Sequence, residues 1–245
     1  MKKLILVLSL LVPSLAMAAT GHSVHLDKAN IDLTDKASLQ SGAQTFMNYC
    51  LGCHQMQYQR YQRTFEDLGI PLVLGQENLQ FTGEKVGDYI TNNMAPKAAA
   101  KWFGATPPDL TLVARVRGVD WIYTYLRAFY KDPSRPWGVN NAVFKDVGMP
   151  HVLQELQGLP TKTYEKHMVD GEMVERYVGI KGDGTGRLNQ EEYDKVVLDL
   201  VNFLAYMGEP SRLEAESIGR WVLVFIVILF VFVYLLKKEY WKEVH

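Results

Sequence analysis

From Trp221 to Leu236 the chain reads WVLVFIVILFVFVYLL, an apolar run that no charge interrupts. A helix that is apolar on every face for four turns has no place in the core of a small domain. Its length at ~1.5 Å per residue is ~24 Å. Ile218 and Gly219, with Arg220 snorkelling outward, bring it close to a ~30 Å hydrocarbon core. Trp221 and Tyr234 near its ends, followed by Tyr240 and Trp241, are placed as interface aromatics. Residues 218–236 are therefore expected to span a membrane, and the rest of the chain folds beside it.

The other end sets the direction. Lys2 and Lys3 precede an apolar stretch from Leu4 to Val12, and Ala16-Met17-Ala18 follows. This is a secretory signal in its three parts, with cleavage expected after Ala18. The Lys237, Lys238 and Lys242 cluster stays inside. The organisation predicted is a signal peptide over residues 1–18, an exported domain over 19–217, the span over 218–236 and an internal tail over 237–245. Such a chain is a single-pass protein of a bacterial inner membrane, with its domain on the periplasmic side and lipid around its helix. The exported part carries 20 basic and 25 acidic residues. That balance argues against nucleic acid as a partner and suits either solubility or docking of a basic protein.

The two cysteines of the sequence stand in Cys50-Leu51-Gly52-Cys53-His54. Thiols three positions apart on a helical turn face the same way, and each can add to one vinyl group of a haem. The adjacent histidine then falls under the iron as an axial ligand. A thioredoxin-like dithiol would want a βαβ setting, and a zinc site a second ligand pair at matched spacing. The other histidines, His22, His25, His151, His167 and His245, form no such pair. One covalent haem c is the expected cofactor, and export agrees with it.

The second axial ligand decides the class of function. Iron held by histidine alone is open to peroxide or to gases, whereas His/Met ligation closes it and raises its potential for electron transfer. Met47 and Met56 flank the motif too closely, and Met168, Met173 and Met207 read as packed residues of a hairpin or helix. Met94 before Ala95-Pro96 and Met149 between Gly148 and Pro150 both sit in stiff loops. Gly148, which lets backbone approach the haem closely, and Pro150, which fixes the turn, favour Met149. His151 is a third candidate.

The elements read as mostly α. A helical period through Leu39, Ala43, Phe46, Met47 and Cys50 delivers the motif at its end, and a loop-rich stretch with Gly69, Pro71 and Gly75 follows. A short helix is predicted from Glu84 to Asn92, another from Leu110 to Arg117 with Asp109 as its cap, and a third from Asp120 to Phe129. Residues 131–150 should be irregular. Tyr164 to Val178, centred on Asp170-Gly171, reads as a hairpin, and Gly182 to Gly186 as a turn. Gln190 to Met207 is an amphipathic helix, interrupted at Glu209-Pro210 before the anchor.

The Cys50–His54 motif, Ala105-Thr106-Pro107-Pro108-Asp109-Leu110 with Arg115 and Arg117 after it, Gly148-Met149, Asp183-Gly184-Thr185, and Phe203 to Pro210 leading to the anchor together resemble cytochrome c1, the haem subunit family of quinol–cytochrome c oxidoreductase (bc1) complexes. The resemblance implies a class I c-type cytochrome domain with long loop insertions and a small β-hairpin. It implies Met149 as the sixth ligand and Arg117 at a haem propionate. It also implies a cytochrome b, a Rieske iron–sulfur protein and a soluble cytochrome c as partners, in a dimeric complex. The rival readings are a peroxidase-like haem enzyme, a gas sensor, and a free-standing anchored electron shuttle.

Overall fold

The computed structural model describes residues 25–83, 85–169 and 172–242. The expected signal segment and the Asp170-Gly171 turn lie outside the described residues. The frame is a pair of helices far apart in sequence, α1 (Lys36–Tyr49) and α8 (Gln190–Gly208). Each starts at a side-chain cap: Asp35 accepts from the Ser38 amide, and Asn189 forms a capping box with Glu192. Leu39, Ala43, Phe46 and Met47 of α1 are buried against Val197, Leu200, Val201 and Leu204 of α8.

Two features set the crossing. A Cβ on Gly42 would collide with the Asp199 carbonyl and come within 2.7 Å of the Phe203 Cβ, so the helices meet backbone to backbone there. Around that point lies a buried polar cluster. Ser38 Oγ donates to Asp199 Oδ1 (2.7 Å), Asn202 Nδ2 donates to Ser38 Oγ (2.6 Å), and the Asp32 amide donates to Asn202 Oδ1 (2.9 Å). Each buried group is thereby satisfied, and the register of α1 on α8 is pinned.

The other elements wrap this pair. Strand β1 (Met56–Arg60) runs into α2 (Tyr61–Leu68) and α3 (Leu72–Leu79), and β2 (Tyr89–Ile90) pairs antiparallel with β1. The helix expected over 84–92 is not there: among its described residues, Lys85 and Asp88 close a turn on each other, and Ile90 pairs with Met56 and is buried. Burying one apolar residue through a strand outweighs the weak helical period of this segment. Helix α4 (Pro96–Phe103) is followed by α5 (Val113–Arg117) and α6 (Val119–Arg127), which meet at Gly118 (φ 84°). Residues 131–150 are less irregular than expected, because β3 (Phe129–Lys131) pairs with β4 (Val139–Asn141). A short α7 (Gln154–Gln157) precedes the hairpin of β5 (Thr161–Val169) and β6 (Glu172–Lys181), longer than predicted at both ends.

The Gly182–Gly186 turn is held by Asp183 Oδ1, which accepts from the Thr185 amide (3.0 Å) and hydroxyl (2.8 Å). Helix α9 (Arg212–Tyr240) buries none of its residues and is long and apolar enough to cross a membrane, as an anchor requires. About half of the described chain is helical, with three small two-stranded ribbons, so the mostly α architecture with one C-terminal apolar helix is what the sequence predicts.

Candidate haem site

A cavity of about 360 Å³ opens beside the C-terminal end of α1. Cys50 is the C-cap of that helix, and the amides of Cys53 (3.0 Å) and His54 (2.8 Å) both donate to its carbonyl. This tight turn gathers Cys50, Cys53 and His54 on one wall of the cavity. Neither cysteine is in a disulfide. Burial pushes the Cys50 thiol up to about 12 and raises Cys53 as well.

The strap from Ala105 to Leu110 forms the neighbouring wall. Its Pro108 carbonyl lies 2.8 Å from His54 Nδ1. A carbonyl only accepts, so Nδ1 carries the proton and Nε2 keeps its lone pair. Burial lowers the His54 pKa, against the opposing pull of the Pro108 carbonyl and Asp109, and keeps the ring neutral. The strap is fixed in turn by Asp109, which was expected to cap a helix and instead bridges two segments. Its carboxylate accepts from the Gln57 amide (2.8 Å) and the Thr111 amide (2.9 Å), and α5 begins only at Val113.

Met149 lines the cavity from the segment Val147–Pro150. Its sulfur accepts a hydrogen bond from the Tyr125 hydroxyl at 3.3 Å. Tyr125 is stacked on Trp121 (4.8 Å, 9°) and set edge-on to Phe129 (5.3 Å, 68°). Gly148 lines the cavity too, and a Cβ there would lie 2.6 Å from the Phe103 carbonyl, so the segment also passes hard against the end of α4. Met94 and His151 are not among the lining residues. His151 is buried and stacked flat on Phe129 (4.8 Å, 6°), and burial lowers its pKa to about 4.

The remaining wall is apolar, from Phe46, Ile122, Leu126, Leu200 and Leu204 among others. Among the described residues, Arg117 is the one lining residue with a formal charge. Its guanidinium sits over the rings of Trp121 (5.1 Å) and Phe144 (6.0 Å). All five residues picked from the sequence, Cys50, Cys53, His54, Arg117 and Met149, thus border one cavity. Tyr125, Trp121, Phe144 and the Pro108 carbonyl had not been singled out. The aromatic pair four residues apart at 121 and 125 is a helix-face signal that could have found the first two.

These residues suit a covalently held haem: two thiols on one turn, an imidazole with a free Nε2, a thioether, apolar walls and one cation. Comparison with known proteins agrees. A model of the Cytochrome C1 family matches residues 75–244. The cysteine motif lies before that stretch, but full-length relatives cover it. The chain is 54% identical to cytochrome c1 of Allochromatium vinosum over 100% of both chains. It is 43% identical to a protein of Nitrosomonas europaea named ammonia monooxygenase gamma subunit, over 100% of this chain and 99% of that one. It is 26% identical to cytochrome c1 of Blastochloris viridis, over 94% and 90%. The chain belongs to the cytochrome c1 family, whose members carry covalently bound haem c and transfer electrons.

Proposed function

We propose that this chain is the membrane-anchored electron carrier of a quinol–cytochrome c oxidoreductase, working beside a cytochrome b. It takes single electrons from a Rieske iron–sulfur protein and delivers them to a soluble cytochrome c, within a dimeric complex. Residues 1–18 are removed on export, residues 19–217 lie on the periplasmic side of a bacterial inner membrane, residues 218–236 cross the lipid, and residues 237–245 stay inside. The observation that carries the reading is one apolar cavity bordered by the two cysteines, by Met149, and by a His54 whose Nδ1 is committed to the Pro108 carbonyl.

Bound haem supplies a one-electron couple between ferric and ferrous iron. Cys50 and Cys53 would hold the group by thioether bonds, each formed as the S–H adds across a haem vinyl. His54, through Nε2, and Met149, through Sδ, would hold the iron, a donor pair that would leave it no open position for outside ligands. Arg117 would balance a haem propionate with its guanidinium. The apolar walls exclude water, and this chain makes or breaks no substrate bond.

The test is carbon monoxide added to the reduced full-length chain in neutral detergent at neutral pH. A closed His54/Met149 site leaves the spectrum unchanged. A carbon monoxide shift in the wild type would overturn the reading in favour of a gas-binding or peroxidase-like protein. Failure of a cytochrome b to co-purify from mild detergent would leave the electron carrier but make it free-standing.

A further inference from the structure

The exported domain is acidic, yet the segments around the cavity mouth are not. Arg117 and Phe144 both line the cavity and are exposed, so they mark where it meets solvent. The exposed Thr106 of the strap also lines it, and its hydroxyl donates to the Pro96 carbonyl (3.1 Å), which ties the start of α4 to the same rim. The end of α4 lies there too, since Phe103 lines the cavity and contacts the ring of Trp137 (5.6 Å). Residues 96–117 and 135–149 contain Lys97, Lys101, Arg115, Arg117, Arg135 and Lys145 against only Asp109 and Asp146. The rest of the exported part holds 14 basic and 23 acidic residues.

Pairing sharpens the contrast. Arg115 is bridged to Glu209 (3.2 Å) and Arg135 to Asp146 (3.4 Å), while Asp109 is occupied by two amides. Lys97, Lys101 and Lys145 are exposed and have no carboxylate partner among the described residues. Beside them Trp102 (59% exposed), Trp137 (46%) and Phe144 (45%) present aromatic surface to solvent. Exposed aromatics beside lysines that lack a carboxylate partner among the described residues have the make-up of a docking surface, apolar contact with steering charge.

We infer that the rim formed by Lys97, Lys101 and Lys145 with Trp102, Trp137 and Phe144 docks a soluble electron acceptor whose contact face is acidic. This rests on the electron-transfer reading above and reverses the expectation, drawn from net charge alone, of a basic partner. The sum over the domain misleads because charges far from the mouth are screened within a Debye length of ~8–10 Å, whereas those at the rim act on the docking encounter.

The test uses two small oxidants of opposite charge, ferricyanide and tris(phenanthroline)cobalt(III), mixed with the reduced full-length chain in neutral detergent while ionic strength is raised. The rate with ferricyanide should fall with salt, and the rate with the cobalt complex should rise or stay flat. In K97E/K101E/K145E the ferricyanide rate at low salt should drop about tenfold or more, with the absorption spectrum unchanged. A ferricyanide rate that rises with salt in the wild type, or is untouched by the triple substitution, overturns the inference. Failure of the underlying reading shows separately, before any mixing, as a chain with no reducible covalent haem.

Discussion

Replacing Tyr125 by Phe isolates one interaction at the proposed iron site. The Tyr125 hydroxyl donates to Met149 Sδ at 3.3 Å, and its ring is held by Trp121 and Phe129. Burial raises the phenol's pKa, so it remains a donor throughout the working pH range. Phenylalanine keeps the ring contacts and removes only the donor, and a thioether left without a donor is barely penalised because sulfur is a weak acceptor. A hydrogen bond on the sulfur draws electron density from it, which disfavours ferric iron. A neutral bond of this kind is worth ~0.5–1.5 kcal/mol net. If that energy is felt mainly in one oxidation state, the midpoint falls by ~20–60 mV in the variant, at ~59 mV per tenfold change for one electron. The assay is a spectroelectrochemical titration of both proteins, with the Met–iron charge-transfer band as the check that the ligand stays on. An unchanged or higher midpoint, with that band intact, would refute the argument that the hydroxyl acts through the sulfur.

Further outcomes follow from the same geometry. Gly42→Ala forces α1 off α8 at the Asp199 carbonyl; overpacking of ~1–3 kcal/mol should lower the melting temperature by ~2–4 °C per kcal/mol. Replacing both Cys50 and Cys53 by Ser should abolish haem that survives acid–acetone extraction, while either single change leaves one tether; haem retained by the double variant would contradict covalent attachment there. Asp120 is held below the usual carboxylate range by the Lys28 ammonium (2.6 Å) and the Ala29 amide (2.9 Å). A depressed carboxylate stabilises the fold above its unfolded pKa, and that contribution is lost as pH falls through the folded value. Asp120→Asn should therefore melt lower than wild type at pH 7 and converge with it in acid, and a gap that widens on acidification would be the wrong sign.

What the sequence shows plainly is whatever is local or periodic. The motif ends α1 because Leu39, Ala43 and Phe46 repeat on one face, and α8 and α9 follow from equally long patterns. Helices α2 and α3 are hidden because Gly69, Pro71 and Gly75 look like loop residues. In the structure Gly69 ends α2 in a left-handed cap (φ 73°), Pro71 precedes the first turn of α3, and Gly75 packs inside α3 against the Phe65 ring. Only the tertiary partner makes a mid-helix glycine useful. The same holds at the site. Cys50, Cys53 and His54 are legible from spacing, but the Pro108 carbonyl on His54 and the Tyr125 hydroxyl on Met149 are contacts over 54 and 24 residues, which no local pattern encodes. Charge behaves alike, since a net sum hides where Lys97, Lys101 and Lys145 stand.

The claim that His54 and Met149 close the iron is tested most directly by comparing the wild type with Met149→Leu, oxidised and reduced, with and without carbon monoxide. Leucine fills nearly the same volume and cannot ligate. The variant should keep its covalent haem, lose the Met–iron charge-transfer band and bind carbon monoxide when reduced, while the wild type shows the band and ignores the gas. A variant that retains the band and still excludes carbon monoxide would contradict the account, and would move the search for the ligand to Met94 or His151.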